Sequence, residues 1–391
     1  MSSRRIRVAW ISDFPIEWIG DLPGELKHLP RKHAATWLRV LFDEFKLDPQ
    51  IDLHIVALRK DLTANCAFER EGVTFHVLKV PPGLRGPTLF WIDTFLIGRV
   101  LNEVRPDVVH AWGTERGAAL VAHRLKYPNV VTVQGLLMWY AETVPVNLYF
   151  RFASLLERMS LPRAPLVTTE SKFAVQYLKA KMPNVRVLQA EHAPNWVFHR
   201  VQRRPCTEKL RFIYVGTLDY RKGGDLLVQA LDRLRAELDW ELQIIGGVEP
   251  TLLRKLRATT AEETWKRIQF KDNLSPPEIA DELGQATMML FPTRADTSPN
   301  AVKEAVVAGV PVVASTIGGI PDYVFPDENG LLFPSENLDA FVDAIRSACR
   351  HPLFGRGQVA AGSLNKTRDY LSPKRMAQRF MEAYQRVLKT E

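Results

Sequence analysis

The sequence predicts an α/β protein of two Rossmann-like, doubly wound domains facing across a cleft. Three observations predict it. Short apolar, β-branched runs alternate with longer amphipathic segments from end to end, the pattern of helices packed on parallel sheets. At 391 residues the chain exceeds the size at which one hydrophobic core keeps growing. The alternation breaks once, at HAPNWVFHRVQRRPCTEK (192–209), where strand-like sequence gives way to proline, polar and basic residues before a new strand opens. The expected domains are therefore 1–194 and 208–365, joined by a linker over 195–207, with 366–391 a separate C-terminal helical segment.

Taken in order, the first-half strands are IRVAWI (6–11), DLHIVAL (52–58), VTFHVLKV (73–80), DVVHAW (107–112), VVTVQ (130–134), PLVTT (165–169) and VRVLQ (185–189). Those of the second half are LRFIYVG (210–216), ELQIIG (241–246), RIQF (267–270), TMMLF (287–291), PVVAS (311–315) and NGLLF (329–333). Segments 223–238 and 336–350 carry helix-period apolar residues between strands, and PKRMAQRFMEAYQRVLK (373–389) is a strongly amphipathic helix. PTLFWIDTFLIGRVL (87–101) is apolar nearly all round. It reads as a buried helix, or alternatively as one that docks on an anionic membrane with the arginines around it.

Apolar content of 46% and charged content of 25% are those of an ordinary globular chain, with no low-complexity tract. The N-terminal apolar run is broken by Ser12 and Asp13, so it reads as a first strand rather than a signal peptide or membrane span. Cys66, Cys206 and Cys349 are odd in number and far apart, which points to a reducing compartment and away from disulfides or zinc. The expected location is cytoplasmic, with peripheral contact at the inner face of a membrane as the further expectation. A net charge of +8 favours anionic partners. The basic residues are dispersed and no recognition helix or RNA-type aromatic signature is present, which argues against nucleic acid.

Ligands of open α/β sheets bind beyond the carboxyl ends of the strands, so residues that follow strands are the candidates. In YVGTLDYRKGGDLL, Gly216 ends a strand and Lys222 precedes Gly223 and Gly224 before a helix. A glycine there admits close approach of a ligand and a lysine neutralises phosphate, although the same pattern is also simple turn chemistry. In TRADTSPNAVKEAVVAGVPVV (293–313), Ser298 is the expected N-cap and Pro299 the first helical residue. Asn300 and Glu304, four apart, share one face of that helix, and its open N–H groups form an anion site. Glu304 reaches a ribose from there, and Asp296 on the preceding loop points toward whatever is bound. A capped helix with two ordinary acids is the plain alternative. A third strand-end loop, STIGGIPDYV with Gly318 and Gly319, brings three such loops to one end of the sheet.

On these residues the chain resembles the retaining glycosyltransferases of family 4, which have the GT-B fold. Their Glu-x7-Glu signature appears here as Asp296 and Glu304, followed by AVVAGVPVVASTIGGIPD and NGLLF. Their strand-end motif appears as VGTLDYRKGG, their linker as APNWVF, and their last helix, which crosses back to the N-terminal domain, as 373–389. The resemblance implies transfer of a sugar from a UDP- or GDP-sugar to a glycan, lipid-linked or small-molecule acceptor. Transfer retains configuration and needs neither a metal nor a cofactor beyond the nucleotide-sugar co-substrate. It implies that Asp296 orients the donor sugar, Glu304 binds the ribose, and Lys222 with the helix start binds the pyrophosphate. Gly216, Thr217, Arg221, Arg294, Ser298, Pro299, Asn300 and Ala301 complete the donor-side set. Asp296 stands where the family carries glutamate, and Thr217 where it carries arginine, with Arg221 and Arg294 as candidate replacements. Gln134 stands where many members carry histidine, and Gly20 is alone where a glycine pair is usual.

On the acceptor side the candidates are Gly20, Glu115, Gln134 and Trp139. Loop 12–35 and QGLLMWYAE (134–142) are the expected lining, with Trp18 and Tyr140 also able to stack on a sugar and His33 and Trp37 one helical turn apart. Two other readings stay open on sequence grounds: a sugar-nucleotide epimerase on the same fold, and a non-catalytic sugar-nucleotide or glycan-binding module.

Overall fold

The computed structural model describes residues 4–29, 35–206, 208–272 and 274–389. They form two compact units, one of Met1–Glu191 with Pro373–Glu391, the other of His192–Ser372.

The first unit is built on eight strands: β1 (Ile6–Ile11), β2 (Ile51–Arg59), β3 (Cys66–Arg70), β4 (Val73–Lys79), β5 (Val108–Trp112), β6 (Asn129–Thr132), β7 (Leu166–Thr169) and β8 (Val187–Gln189). Their order is β3-β4-β2-β1-β5-β6-β7-β8. β1 and β5 are apolar without alternation because strands of a parallel sheet are covered on both faces; Val8, Ala9, Trp10, Val108 and Val109 are fully buried. β3 was not expected. It pairs antiparallel with β4 through a two-residue turn at Glu71 and Gly72, both with positive φ (55° and 75°). A turn of that kind normally announces itself by Asn-Gly or Asp-Gly, and Arg-Glu-Gly carries no such signal.

The second unit has six strands, all parallel: β9 (Leu210–Val215), β10 (Trp240–Ile245), β11 (Ile268–Lys271), β12 (Met288–Phe291), β13 (Val312–Ser315) and β14 (Gly330–Phe333). Their order is β11-β10-β9-β12-β13-β14. The winding reverses between β9 and β12, so the loops after these two strands stand side by side at the switch point, where open α/β sheets hold their ligands.

Two boundaries differ from expectation. Of the stretch 195–207, expected as a linker, the described residues 195–206 are tied into the second unit. Trp196–His199 forms a helical turn, and Arg203 donates to the carbonyls of Leu283, Gly284, Ala286 and Gly357. The stretch 366–391, expected as one helical segment, holds the end of helix Ala361–Tyr370 in the second unit and helix Pro373–Leu388 in the first. Pro373 cannot donate to a preceding turn, which fixes the break. Met376, Phe380, Ala383, Tyr384 and Val387 are the buried stripe of the last helix.

Candidate active site

Glycines and one carboxylate shape the loops of the site. Gly216 follows β9 with φ 142°, a conformation open to glycine, and a Cβ on Gly246 would lie 2.8 Å from the Gly216 carbonyl oxygen. Tyr214 Oη donates to the Thr217 carbonyl at 2.8 Å, leaving the Thr217 side chain exposed. The Asp219 carboxylate accepts the Lys222 N–H at 2.7 Å and its carbonyl accepts the Gly224 N–H at 2.9 Å, closing a tight turn. Gly223 has φ 73°, and a Cβ there would sit 1.8 Å from the Pro292 carbonyl oxygen. The loop after β9 is thus pressed on the loop after β12.

That contact brings Lys222 Nζ onto Asp296 Oδ2 in a direct charged hydrogen bond, with the two side chains 17% and 10% exposed. Arg221 donates to the Ala295 carbonyl at 2.8 Å, its guanidinium 4.0 Å from the same Asp296 oxygen. From the third loop, Gly318 (φ 54°) approaches so closely that a Cβ would lie 1.8 Å from the Asp296 carbonyl oxygen, and the Gly319 N–H donates to Thr297 at 2.8 Å. The structure therefore joins the three strand-end loops picked out in the sequence.

The helix that follows spans Asn300–Ala308. The expected cap is corrected here. Pro299 takes the cap position with ψ 122°, the helix starts at Asn300, and Ser298 Oγ lies 3.4 Å from Tyr323 Oη. Among the described residues no side chain caps the helix, so its first-turn N–H groups, those of Asn300 and Ala301 among them, remain available to an anion. Lys303 is buried with Nζ 3.4 Å from Asn300 Oδ1. One turn in, the Glu304 carboxyl has no hydrogen-bond or ion-pair partner among the described residues; burial pushes it up to about 8, opposed by the nearby Lys303 charge.

Arg294 is the main correction on this side. Its guanidinium makes a bidentate pair with Asp225 (2.6 and 2.8 Å), bonds Glu336 (3.1 Å) and the Tyr220 carbonyl (2.6 Å), and stacks on the Tyr220 ring. With its donors so committed and its side chain buried, it braces the β9 loop and does not replace the missing arginine. Asp219, Asp225 and Glu336 went unread in the sequence. The first could have been found, since an aspartate three residues before an N–H that must be held is a turn signal.

In the first unit, Gly113–Glu115 and Gln134 follow the neighbouring strands β5 and β6. With its amide oriented to satisfy both neighbours, Gln134 accepts from Trp37 Nε1 and donates to Glu115, each at 3.3 Å. Burial raises the Glu115 carboxyl above the usual range, and the charge of Asp13 adds to it. Asp13 in turn pairs with Arg116 at 2.6 Å. Glu157, unnoticed in the sequence, is fully buried, accepts from Thr114 Oγ1 (2.8 Å) and the Met138 N–H (3.0 Å), and is pushed by burial up to about 7. Its signal was an acid inside the apolar stripe of helix Leu148–Ser160.

One acceptor-side expectation, stacking of a sugar on Trp139, is not met. Trp139 is buried against Phe173 edge-on, with ring centroids 4.7 Å apart, and presents no face for stacking. Gly20 is exposed, and a side chain there would meet nothing within 4 Å, so no close approach calls for glycine. His33 lies outside the described residues, as does 30–34 of the expected lining loop.

Residues 209–351 match the family described as glycosyl transferases group 1, and residues 47–196 match the glycosyl transferase 4-like domain. The chain belongs to the group 1 glycosyltransferases. Glycogen synthase of Mycobacterium tuberculosis is 24% identical over 274 residues, 68% of this chain and 66% of that protein, so the chain spans just under two thirds of that relative. Among solved structures, sucrose-phosphate synthase from Thermosynechococcus elongatus matches with a TM-score of 0.78 at 17% identity, covering 99% of this chain and 100% of that one. Anabaena HepE in complex with UDP matches with a TM-score of 0.68 at 14% identity, over 97% and 99% of the two chains. These likenesses show the GT-B fold: two parallel-sheet α/β domains and a helical C-terminus.

Proposed function

We propose that this group 1 glycosyltransferase moves a sugar from a nucleoside-diphosphate sugar to a glycan, lipid-linked or small-molecule acceptor, with retention at the anomeric carbon. The observation that carries the reading is the Lys222–Asp296 pair at the β9/β12 switch point beside the uncapped start of helix Asn300–Ala308. A departing nucleoside diphosphate develops negative charge, and a fixed cation with oriented N–H donors stabilises it without reorganisation. In the free protein Asp296 holds Lys222 in place. A bound diphosphate takes over that lysine, and the Asp296 carboxylate is released to accept hydrogen bonds from the donor sugar's hydroxyls. Glu304, without a partner among the described residues, accepts from the ribose hydroxyls. The UDP carried by the HepE structure supports a nucleoside-diphosphate donor and makes UDP the first nucleotide to test. On the acceptor side, Glu115 and Gln134 hydrogen-bond an acceptor hydroxyl.

Turnover of nucleotide sugars by the purified chain tests this, read as release of nucleoside diphosphate. Lys222→Ala and Asp296→Asn are each expected to lower turnover at least ~10-fold, about 1.4 kcal/mol of transition-state stabilisation. If neither does so, the site assignment fails. Donor binding without turnover in the wild type would show a binding protein in place of an enzyme.

A further inference from the structure

The first unit carries a surface that glycosyl transfer does not explain. Helix Trp91–Val104 exposes Trp91 and Phe95 (60% and 58%), and helix Leu148–Ser160 exposes Leu148 and Leu155 (82% and 52%). Both helices pack against Ala118–Leu125, which lies between them. Arg124 from that middle helix stacks on Trp91 at 4.3 Å, and Arg99 stacks on Phe95 at 4.2 Å. Large aromatic and aliphatic side chains standing in water beside guanidinium groups are costly unless something covers them.

The charge around them is mostly of one sign. Across 84–104 and 147–163, Asp93 and Glu157 are buried, and Glu103, at the far end of the first helix, is the one exposed acid. The other charged side chains that face solvent there are arginines, Arg99, Arg151, Arg158 and Arg163 among them. We infer that this face docks on an anionic lipid bilayer, with Trp91, Phe95, Leu148 and Leu155 entering the acyl boundary and the arginines meeting lipid phosphates.

Charge decides among the occupants. A second copy of the chain meeting this face through a two-fold axis would set arginine against arginine. Nucleic acid would take the arginines and stack on the aromatics but leave Leu148 and Leu155 in water. An anionic bilayer satisfies both kinds of group at once, which is how interfacial helices bind. No helix among the described residues is long and apolar enough to cross a membrane, so the contact is one of lying on the surface. The inference stands apart from the donor-site reading, since no residue of that site belongs to the patch.

Co-sedimentation of the full chain with vesicles tests it, using phosphatidylcholine alone and phosphatidylcholine mixed with phosphatidylglycerol. The expected result is binding to the mixed vesicles at least about tenfold tighter than to the neutral ones, weakening as ionic strength rises. Trp91→Ser with Phe95→Ser, and separately Arg151→Glu with Arg158→Glu, should each lower that binding about tenfold. Both pairs are exposed, so folding and release of nucleoside diphosphate from a soluble nucleotide sugar should stay at the wild-type level. Equal binding to both vesicles, no binding to either, or variants that bind like the wild type would overturn the inference. So would a dimer in sedimentation that Trp91→Ser with Phe95→Ser dissolves.

Discussion

Asp296 and Glu304 are both partly enclosed acids at the mouth of one sheet, yet their surroundings give them opposite roles. Asp296 is held by Lys222, so its charge is already balanced. Glu304 has no such partner among the described residues, and burial lifts it to about 8 from an ordinary 4.5. The folded chain therefore keeps a proton on Glu304 that the unfolded chain releases above 4.5. Stability from this group is full below that value and declines as pH rises toward 8. A nucleotide whose ribose hydroxyls donate to the carboxylate favours the ionised form. Binding near pH 7 is thus expected to release a proton, and affinity to rise with pH toward 8. Calorimetry in buffers of different ionisation enthalpy measures this directly, and Glu304→Gln should abolish the release; a wild type that binds nucleotide with no proton release would contradict the role. Asp296, Glu304 and Lys222 were legible because strand ends and helix phase place them with little help from distant residues. Arg294 was not, because its fate is set by Asp225 and Glu336, 69 and 42 positions away in the chain. Sequence shows an arginine beside a phosphate-type loop and cannot show that two remote carboxylates have taken it.

At the scale of elements, the last helix shows how a segment legible by itself gains its meaning from a partner. Its amphipathic stripe is plain in the sequence; what the stripe meets is a hydrogen-bonded chain inside the first unit. Trp10 Nε1 donates to Tyr384 Oη at 3.1 Å, and Tyr384 Oη lies 2.7 Å from His110 Nδ1. His110 Nε2 is 2.6 Å from Thr132 Oγ1, which is 2.6 Å from Thr168 Oγ1. Complete burial holds His110 well below its ordinary value, so the ring is neutral. With Tyr384 already accepting from Trp10, it donates to Nδ1, and the ring proton sits on Nε2 and goes to Thr132. One hydroxyl thus ties helix Pro373–Leu388 to β1 and β5. Tyr384→Phe leaves a buried indole N–H and an imidazole nitrogen without their partner, and should destabilise the unit by about 1–3 kcal/mol. For a unit of this size that is a fall in Tm of very roughly 2–12 °C, read by thermal unfolding; an unchanged Tm would mean the network carries no load. The edge strand β3 shows the reverse limit. Its half-exposed CAFER sequence and Glu-Gly turn lack both the apolar run and the turn residues by which the parallel strands were recognised.

At the scale of the whole molecule, each unit places its polar groups at a point where its sheet changes direction. In the second unit that point lies between β9 and β12 and holds Lys222 and Asp296. In the first it lies between β1 and β5, where Asp13, Glu115 and Arg116 follow the strand ends. Length, alternation and the break near 192 were enough to read two such sheets in the sequence. The surplus of eight positive charges is consistent with both partners proposed here, a diphosphate at one unit and a lipid surface at the other. Of these, the nucleotide site bears most of the account, and it is tested by titrating UDP and GDP in turn into the intact chain and into Lys222→Ala by isothermal calorimetry. One of the two nucleotides is predicted to bind the wild type, and Lys222→Ala to weaken it at least ~10-fold. Binding of neither nucleotide, or equal affinity in the variant, would contradict it.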